Sequence, residues 1–251
     1  MCYETDALPP DHGRDGAAGT DRDLVLAAAD GTEFDARLVR AGSPTGMGIV
    51  ILPDVRGLHP FYRALACRFS ELGFDSLAID YFGRTAGRGE RGEDFDFMSH
   101  VQQTRPENIA MDVAAAIDYL RSPDGGAARR IFTVGFCFGG AQSWRQAAVQ
   151  PGLGGAIGFY GRPERVVDVI PAMEVPLLML MAGDDQSIPA DAVEDLDRRM
   201  HEQRVPHSLH VYEGAPHSFF DRSYDRWADA CLDAWDRIIA FTQEPPAAAH
   251  R

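Results

Sequence analysis

Apolar residues along this chain fall into two patterns: short runs bounded by Gly, Pro and Asp, and longer segments with apolar positions every three or four residues. The first pattern predicts buried strands and the second amphipathic helices. Leu24-Val25-Leu26 and the alternating stretch 33–39 flank Asp30-Gly31, a turn pair that predicts an antiparallel hairpin. Met47–Leu52 reads as a buried strand that runs through Pro53-Asp54-Val55-Arg56-Gly57-Leu58-His59-Pro60 into a helix over 61–72. Phe74–Ile79 is the next strand. Within Pro106–Arg121, Ile109, Val113, Ala116, Ile117 and Leu120 recur at helical spacing, and Ser122-Pro123-Asp124-Gly125-Gly126 stops the helix. Later strands are predicted over 154–160, 175–181 and 207–211, and later helices over 189–203 and 223–241. Buried strands alternating with helices imply an α/β fold: a mostly parallel, twisted sheet with helices on both faces, opened by an N-terminal antiparallel hairpin.

Two tails and one loop stand outside that rhythm. Residues 1–22 are rich in Gly, Asp and Pro without periodicity, which predicts a disordered or loosely packed tail, and 242–251 reads as a frayed end. A single domain over 23–241 remains, and 251 residues with 45% apolar content suffice for its core. Residues 85–104 are polar and Gly-rich and predict a long loop with a short helix. Such a loop is either a substrate cap or plain surface.

The most informative stretch is Ile131-Phe132-Thr133-Val134-Gly135-Phe136-Cys137-Phe138-Gly139-Gly140-Ala141. An apolar, β-branched run enters Gly-x-Cys-x-Gly, and a helix-prone segment over 141–150 follows. The pattern reads as strand, sharp turn and helix, with a cysteine at the tip. Gly135 and Gly139 carry no Cβ to clash as strand and helix approach. The unpaired N–H groups and dipole of the following helix would favour a thiolate on Cys137. The N–H of Phe138 would face the same space and could bind a developing oxyanion. In the plainer reading, Cys137 is a small buried hydrophobe in a Gly-rich turn.

Charge and cysteine usage narrow the classes of function. A net charge of −14 argues against nucleic acid or an anionic membrane as partner, since both need basic patches. Recognition of a carboxylate would have to come from local arginines. Cys2, Cys67, Cys137 and Cys231 are widely spaced, with no Cys-x-x-Cys pair to suggest zinc. That usage suits a reducing compartment. With no signal region and no apolar run long enough to span a bilayer, the expectation is a cytoplasmic protein.

In doubly wound sheets catalytic groups sit beyond the carboxyl ends of strands. After the strand over 175–181 comes Ala182-Gly183-Asp184-Asp185-Gln186-Ser187-Ile188-Pro189, and after the last strand comes Tyr212-Glu213-Gly214-Ala215-Pro216-His217-Ser218-Phe219-Phe220. A thiol at neutral pH needs a base, for which imidazole is suited, and the base needs a carboxylate on its other nitrogen. His217, one of 8 histidines, is the only one in a Gly-rich loop after a late strand. His59 is its rival, and also reads as a loop or helix-capping residue. The acid is Asp184 or Asp185, the other being a turn or cap residue. The chain order of nucleophile, acid and histidine is that of α/β-hydrolases.

Gly-Phe-Cys-Phe-Gly-Gly, Ala-Gly-Asp-Asp-x-x-Ile-Pro and Gly-Ala-Pro-His-Ser-Phe together resemble the dienelactone hydrolase family over about residues 23–241. The resemblance implies the α/β-hydrolase fold. In that family the acid lies four residues before the loop proline, here Pro189, so the implied triad is Cys137, His217 and Asp185. Leu52-Pro53-Asp54 resembles a position, usually glutamate, whose acid holds the resting thiol. Asp54 is one methylene shorter. The N–H of Val55 is expected as the second oxyanion donor. Family members acting on dienelactone bind its carboxylate through an arginine and a tyrosine after the fourth strand, but the corresponding segment here, 91–98, is acidic and aromatic. Arg56, Arg84 and Arg162 lie in loops that could replace that clamp.

The leading expectation is a cysteine-dependent hydrolase of small esters or lactones, acting through an acyl-enzyme and requiring no metal or organic cofactor. The alternatives are a non-catalytic ligand-binding or thiol-sensing protein on the same fold, or a thioester or amide hydrolase or acyltransferase with the same triad. Monomer and dimer both remain open.

Overall fold

The computed structural model describes residues 8–10, 18–91 and 95–244. Among them, eight strands form one sheet: β1 (Ala18–Ala27), β2 (Glu33–Ala41), β3 (Met47–Leu52), β4 (Phe74–Ile79), β5 (Arg130–Phe136), β6 (Gly155–Phe159), β7 (Leu177–Asp184) and β8 (His207–Pro216). Their order is β1-β2-β4-β3-β5-β6-β7-β8. β1 pairs with β2, and β2 with β4, in antiparallel fashion, and every later pairing is parallel. The helices are α1 (Pro60–Glu71), α2 (Gly83–Ala86), α3 (Phe97–Gln103), α4 (Pro106–Arg121), α5 (Phe138–Val149), α6 (Ala190–Glu202), α7 (Phe219–Arg222) and α8 (Ala228–Gln243).

Both faces of the central strands are apolar because both are covered. Along β3, Ile49 and Ile51 join a cluster with Phe61, Leu65 and Phe69 of α1, while Val50 and Leu52 join a second with Val113, Ala116 and Leu120 of α4. This two-sided burial turns the apolar runs into strands and the amphipathic segments into their covers. Phe69 is fully buried, its ring 4.7 Å from that of Trp235 and 5.8 Å from that of Phe74.

Four elements depart from the sequence reading. β1 begins at Ala18, so 18–22 belong to the sheet and not to a tail; residues 1–7, 11–17 and 245–251 lie outside the described residues. α5 starts at Phe138, three residues early, because Gly139 and Gly140 are there for close packing and do not break the helix. α8 starts at Ala228, not 223, because Asp221 and Arg222 turn inward to buried partners and divert the chain. In the polar loop, α2 and α3 flank a segment in which Arg91 pairs with Asp80 at 2.7 Å and lies over the Phe95 ring.

Removing the Phe69 ring should lower unfolding free energy by about 3–5 kcal/mol through lost burial and an unfilled cavity. Urea denaturation of Phe69→Ala against wild type checks it; an unchanged midpoint would contradict this packing.

Candidate active site

Cys137 follows β5 directly and sits at φ 55°, ψ −113°. A side chain in that region costs roughly 1–3 kcal/mol unless its surroundings enforce it. Here they do. The Cys137 N–H donates to Phe159 O at 3.0 Å, and its carbonyl accepts from Gly140 and Ala141 at 3.1 and 3.3 Å. A Cβ on Gly135 would lie 1.9 Å from Gly139 O, and one on Gly139 would lie 2.2 Å from the carbonyl oxygens of both Leu52 and Pro53. The first turn of α5 is therefore wedged against the end of β3, and Cys137 stands half-exposed at its N-terminus.

The sheet brings the histidine and its acid together. β7 and β8 pair in parallel, with Asp184 opposite Pro216 after a register shift that places the extra residues in β8 between Tyr212 and Pro216, so the next residue of each strand is Asp185 or His217. Their side chains meet with His217 Nδ1 2.6 Å from Asp185 Oδ2, and the Asp185 side chain is only 1% exposed. Asp185 Oδ1 accepts the Ser187 N–H at 2.8 Å. The Cys137 thiol is close enough to act on the charge of the imidazole. With Nδ1 on the carboxylate, Nε2 is the nitrogen left for the sulfur. Burial opposes charge on the ring, but hydrogen bonds and Coulomb attraction from Asp185 and Cys137 outweigh it and hold its pKa up at about 10. Asp184, by contrast, is exposed and bonds to Gln186.

Val55 lies in the turn after β3, and Phe138 opens α5, whose Gly139 abuts the carbonyls of Leu52 and Pro53. Among the described residues, neither N–H donates to a protein acceptor. The turn that carries Val55 is pinned from below by the buried Tyr81 hydroxyl, which donates to the carbonyls of Pro53 and Asp54.

Beneath the histidine lies a buried charge network that the sequence did not reveal. Asp54, fully buried, accepts from Arg56 Nε at 2.9 Å and Arg222 Nη2 at 2.7 Å. Asp221, equally buried, accepts from Arg56 Nη2 at 2.6 Å, from the Tyr62 hydroxyl at 3.2 Å and from the Tyr160 hydroxyl. The Tyr160 ring in turn packs 4.9 Å from that of His217. Burial presses the Asp54 carboxyl toward neutrality, but Arg56 and Arg222 prevail and hold its pKa low. His59 caps α1 by accepting the Phe61 N–H, and burial together with Arg56 drives its pKa down to about 4, so it serves as a neutral cap.

These contacts correct several expectations. Among the described residues no hydrogen bond joins Asp54 to Cys137; its carboxylate is turned toward two arginines. Arg56 is committed to Asp54 and Asp221. Arg84 spreads its donors over Asp30, Thr32 and Asp112 and is committed to them. Arg162 is exposed and pairs with Glu164 at 3.3 Å. The sequence signals overlooked were Asp221-Arg222, four and five residues past His217, and Tyr160 at the end of β6.

The sequence profile of the Dienelactone hydrolase family matches residues 34–245. The chain belongs to the dienelactone hydrolase family. It is accordingly a hydrolase of ester or lactone bonds. Among its relatives, a protein of Saccharolobus solfataricus named "Putative carboxymethylenebutenolidase" is 34% identical over 251 residues, covering 85% of this chain and 95% of that one. A protein of Escherichia coli K12 with the same name is 25% identical over 226 residues, 84% of this chain and 81% of that one. The crystal structure of a "Putative Dienelactone Hydrolase" from Klebsiella pneumoniae superposes with a TM-score of 0.77 at 25% identity, over 90% of this chain and all of that one.

Other features lie away from the thiol. A cavity of about 340 Å³ lined by Leu24, Leu58, Asp80 and Arg91 touches none of Cys137, Asp185 and His217. Among the described residues one group could hold a metal ion, Asp197, His201 and His207 on α6 and β8, where His207 already pairs with Asp197 at 2.9 Å. No helix is long and apolar enough to cross a membrane.

Two measurements check this geometry. The folded pKa of His217, about 10, exceeds the unfolded value near ~6.5, so its contribution to stability is full below pH ~6.5 and fades as pH rises toward 10. The melting-temperature gap between wild type and Asp185→Asn should therefore be wider at pH 6 than at pH 10; a constant gap would contradict the assignment. Asp54→Asn should lose about 3–5 kcal/mol of stability by leaving arginines uncompensated, while the iodoacetamide labelling rate of Cys137 stays near wild type. A large rate change at intact fold would return Asp54 to the role of thiol holder.

Proposed function

We propose that this hydrolase cleaves small esters or lactones by covalent catalysis on Cys137. The observation that carries the proposal is the His217 ring, bonded at Nδ1 to Asp185 at 2.6 Å and with Nε2 left for the nearby Cys137 thiol. His217, whose pKa is held up at about 10, takes the thiol proton, and the sulfur attacks as thiolate.

The thiolate forms a C–S bond to the substrate carbonyl, and the C=O π pair moves onto oxygen. The N–H groups of Phe138 and Val55 receive that oxyanion. Collapse of the adduct expels the alkoxide, and Nε2–H of the imidazolium protonates it, leaving a thioester and a neutral ring. Nε2 then removes a proton from water as its oxygen attacks the thioester, and the second collapse restores thiolate and imidazolium. One water is consumed, and an acid and an alcohol are produced; for a lactone, both are in one molecule. Asp185 keeps the ring in the tautomer this cycle needs and stabilises its charge in each half.

Mass spectrometry of protein quenched while turning over 4-nitrophenyl acetate should show an acetyl adduct on Cys137. Cys137→Ala should lose at least ~10³-fold in kcat. Unmodified protein during proven turnover would remove the covalent pathway, and labelling of Cys137 by iodoacetamide without turnover of any ester or lactone would favour a thiol sensor.

A further inference from the structure

We infer that Asp197, His201 and His207 form a site for a divalent ion of the zinc class, which clips the end of α6 to the start of β8. The site lies apart from the thiol and takes no part in the reaction proposed above.

All three donors stand on regular elements. Asp197 and His201 are four residues apart on α6, so their side chains share one face of the helix. His207 is the first residue of β8, the edge strand of the sheet, and lies opposite Leu177 at the start of β7. Main-chain bonds hold the turn between them. Arg204, at φ 57°, donates its N–H to His201 O at 3.0 Å, Val205 donates to Met200 O at 2.9 Å, and Leu177 donates to Pro206 O at 2.9 Å. One donor atom of each side chain thus lies within 4.8 Å of the other two.

Hydrogen bonding sets which nitrogen of the buried ring faces the carboxylate. The Val205 carbonyl can only accept, so His207 Nδ1–H donates to it at 2.8 Å, and Nε2 is left 2.9 Å from Asp197 Oδ1. A main-chain carbonyl behind the ring and the other nitrogen aimed forward is how a metal-ligating imidazole is oriented. The His207 side chain is only 4% exposed and keeps that aim. His201 repeats the device: its Nδ1–H donates to the Asp197 carbonyl at 2.9 Å, and its ring stands edge-on to that of His207 at 4.7 Å. Donors on one tetrahedral zinc at about 2.0–2.2 Å stand roughly 3.4 Å apart. Asp197 and His207 are already closer than that, and the His201 ring, its side chain 70% exposed, has room to swing inward and complete the set. A proton on His207 would join two of these groups, whereas a divalent ion bonds all three.

Donor type and charge select the ion. Two imidazoles and one carboxylate suit zinc and its late first-row neighbours, while magnesium and calcium take oxygen shells. α6 carries five carboxylates against two arginines, a local field that favours a cation. With three protein donors on an open face, the fourth position is left to solvent. An ion held only by the folded chain stabilises it, here by tying a helix end to an edge strand.

The test uses untagged protein whose accessible thiols have been blocked with iodoacetamide, so that Cys137 cannot take the metal. Calorimetric titration with Zn²⁺ should show one ion bound per chain, and the melting temperature should rise by about 5–10 °C at a free ion concentration ~100 times Kd. His201→Ala, which removes an exposed ring that the fold does not need, and Asp197→Asn should each weaken binding at least ~10-fold and abolish the metal-induced shift. Undiminished binding in both variants would put the ion elsewhere, and no binding to wild type would leave Asp197 and His207 as a plain ion pair; either result overturns the inference.

Discussion

The site depends on a contact that no side chain could survive. Gly139 brings the start of α5 against the carbonyls of Leu52 and Pro53, where a Cβ would lie 2.2 Å from each oxygen. That approach fixes the distance between the end of β3 and the end of β5. It forces Cys137 into its positive-φ conformation, and it sets the Phe138 N–H beside the turn that carries Val55. Tyr81 closes the arrangement from below by holding the carbonyls of that same turn.

Much of this was legible from sequence because the signals are local. A strand, Gly-x-Cys-x-Gly and a helix announce the turn wherever they occur, and the loops after β7 and β8 hold Asp185 and His217 within a few residues of a glycine or proline. Helix and strand order followed from apolar spacing, since every central strand is covered on both faces. Boundaries were less legible where tertiary contacts override local preference. Gly139 and Gly140 look like a break and are helical, and residues 223–227 look like the start of α8 but hold only a short 3-10 turn, Tyr224–Arg226, after the inward-turned Asp221 and Arg222.

The arginines were the hardest to read. Arg56, Arg84 and Arg162 sit in loops, as substrate-binding arginines often do, yet Arg56 and Arg84 are committed to carboxylates and Arg162 is an exposed surface pair. Their partners lie as far off as Asp221, 165 residues from Arg56, and nothing in local composition encodes such a pairing. The same network also shows why charge counts mislead: beneath the His217 ring two aspartates pair with two arginines, so their formal charges cancel locally.

The pairing of Asp184 with Pro216 has a consequence for how such a chain can diverge. The separation of acid and base is set by the ladder between two adjacent strands, whatever the length of the intervening α6 crossover. That crossover is free to lengthen, shorten or exchange its surface over generations. A single residue gained or lost within either strand would instead slide the carboxylate past the imidazole, so the family's tolerance for insertions should stop abruptly at those two strand ends.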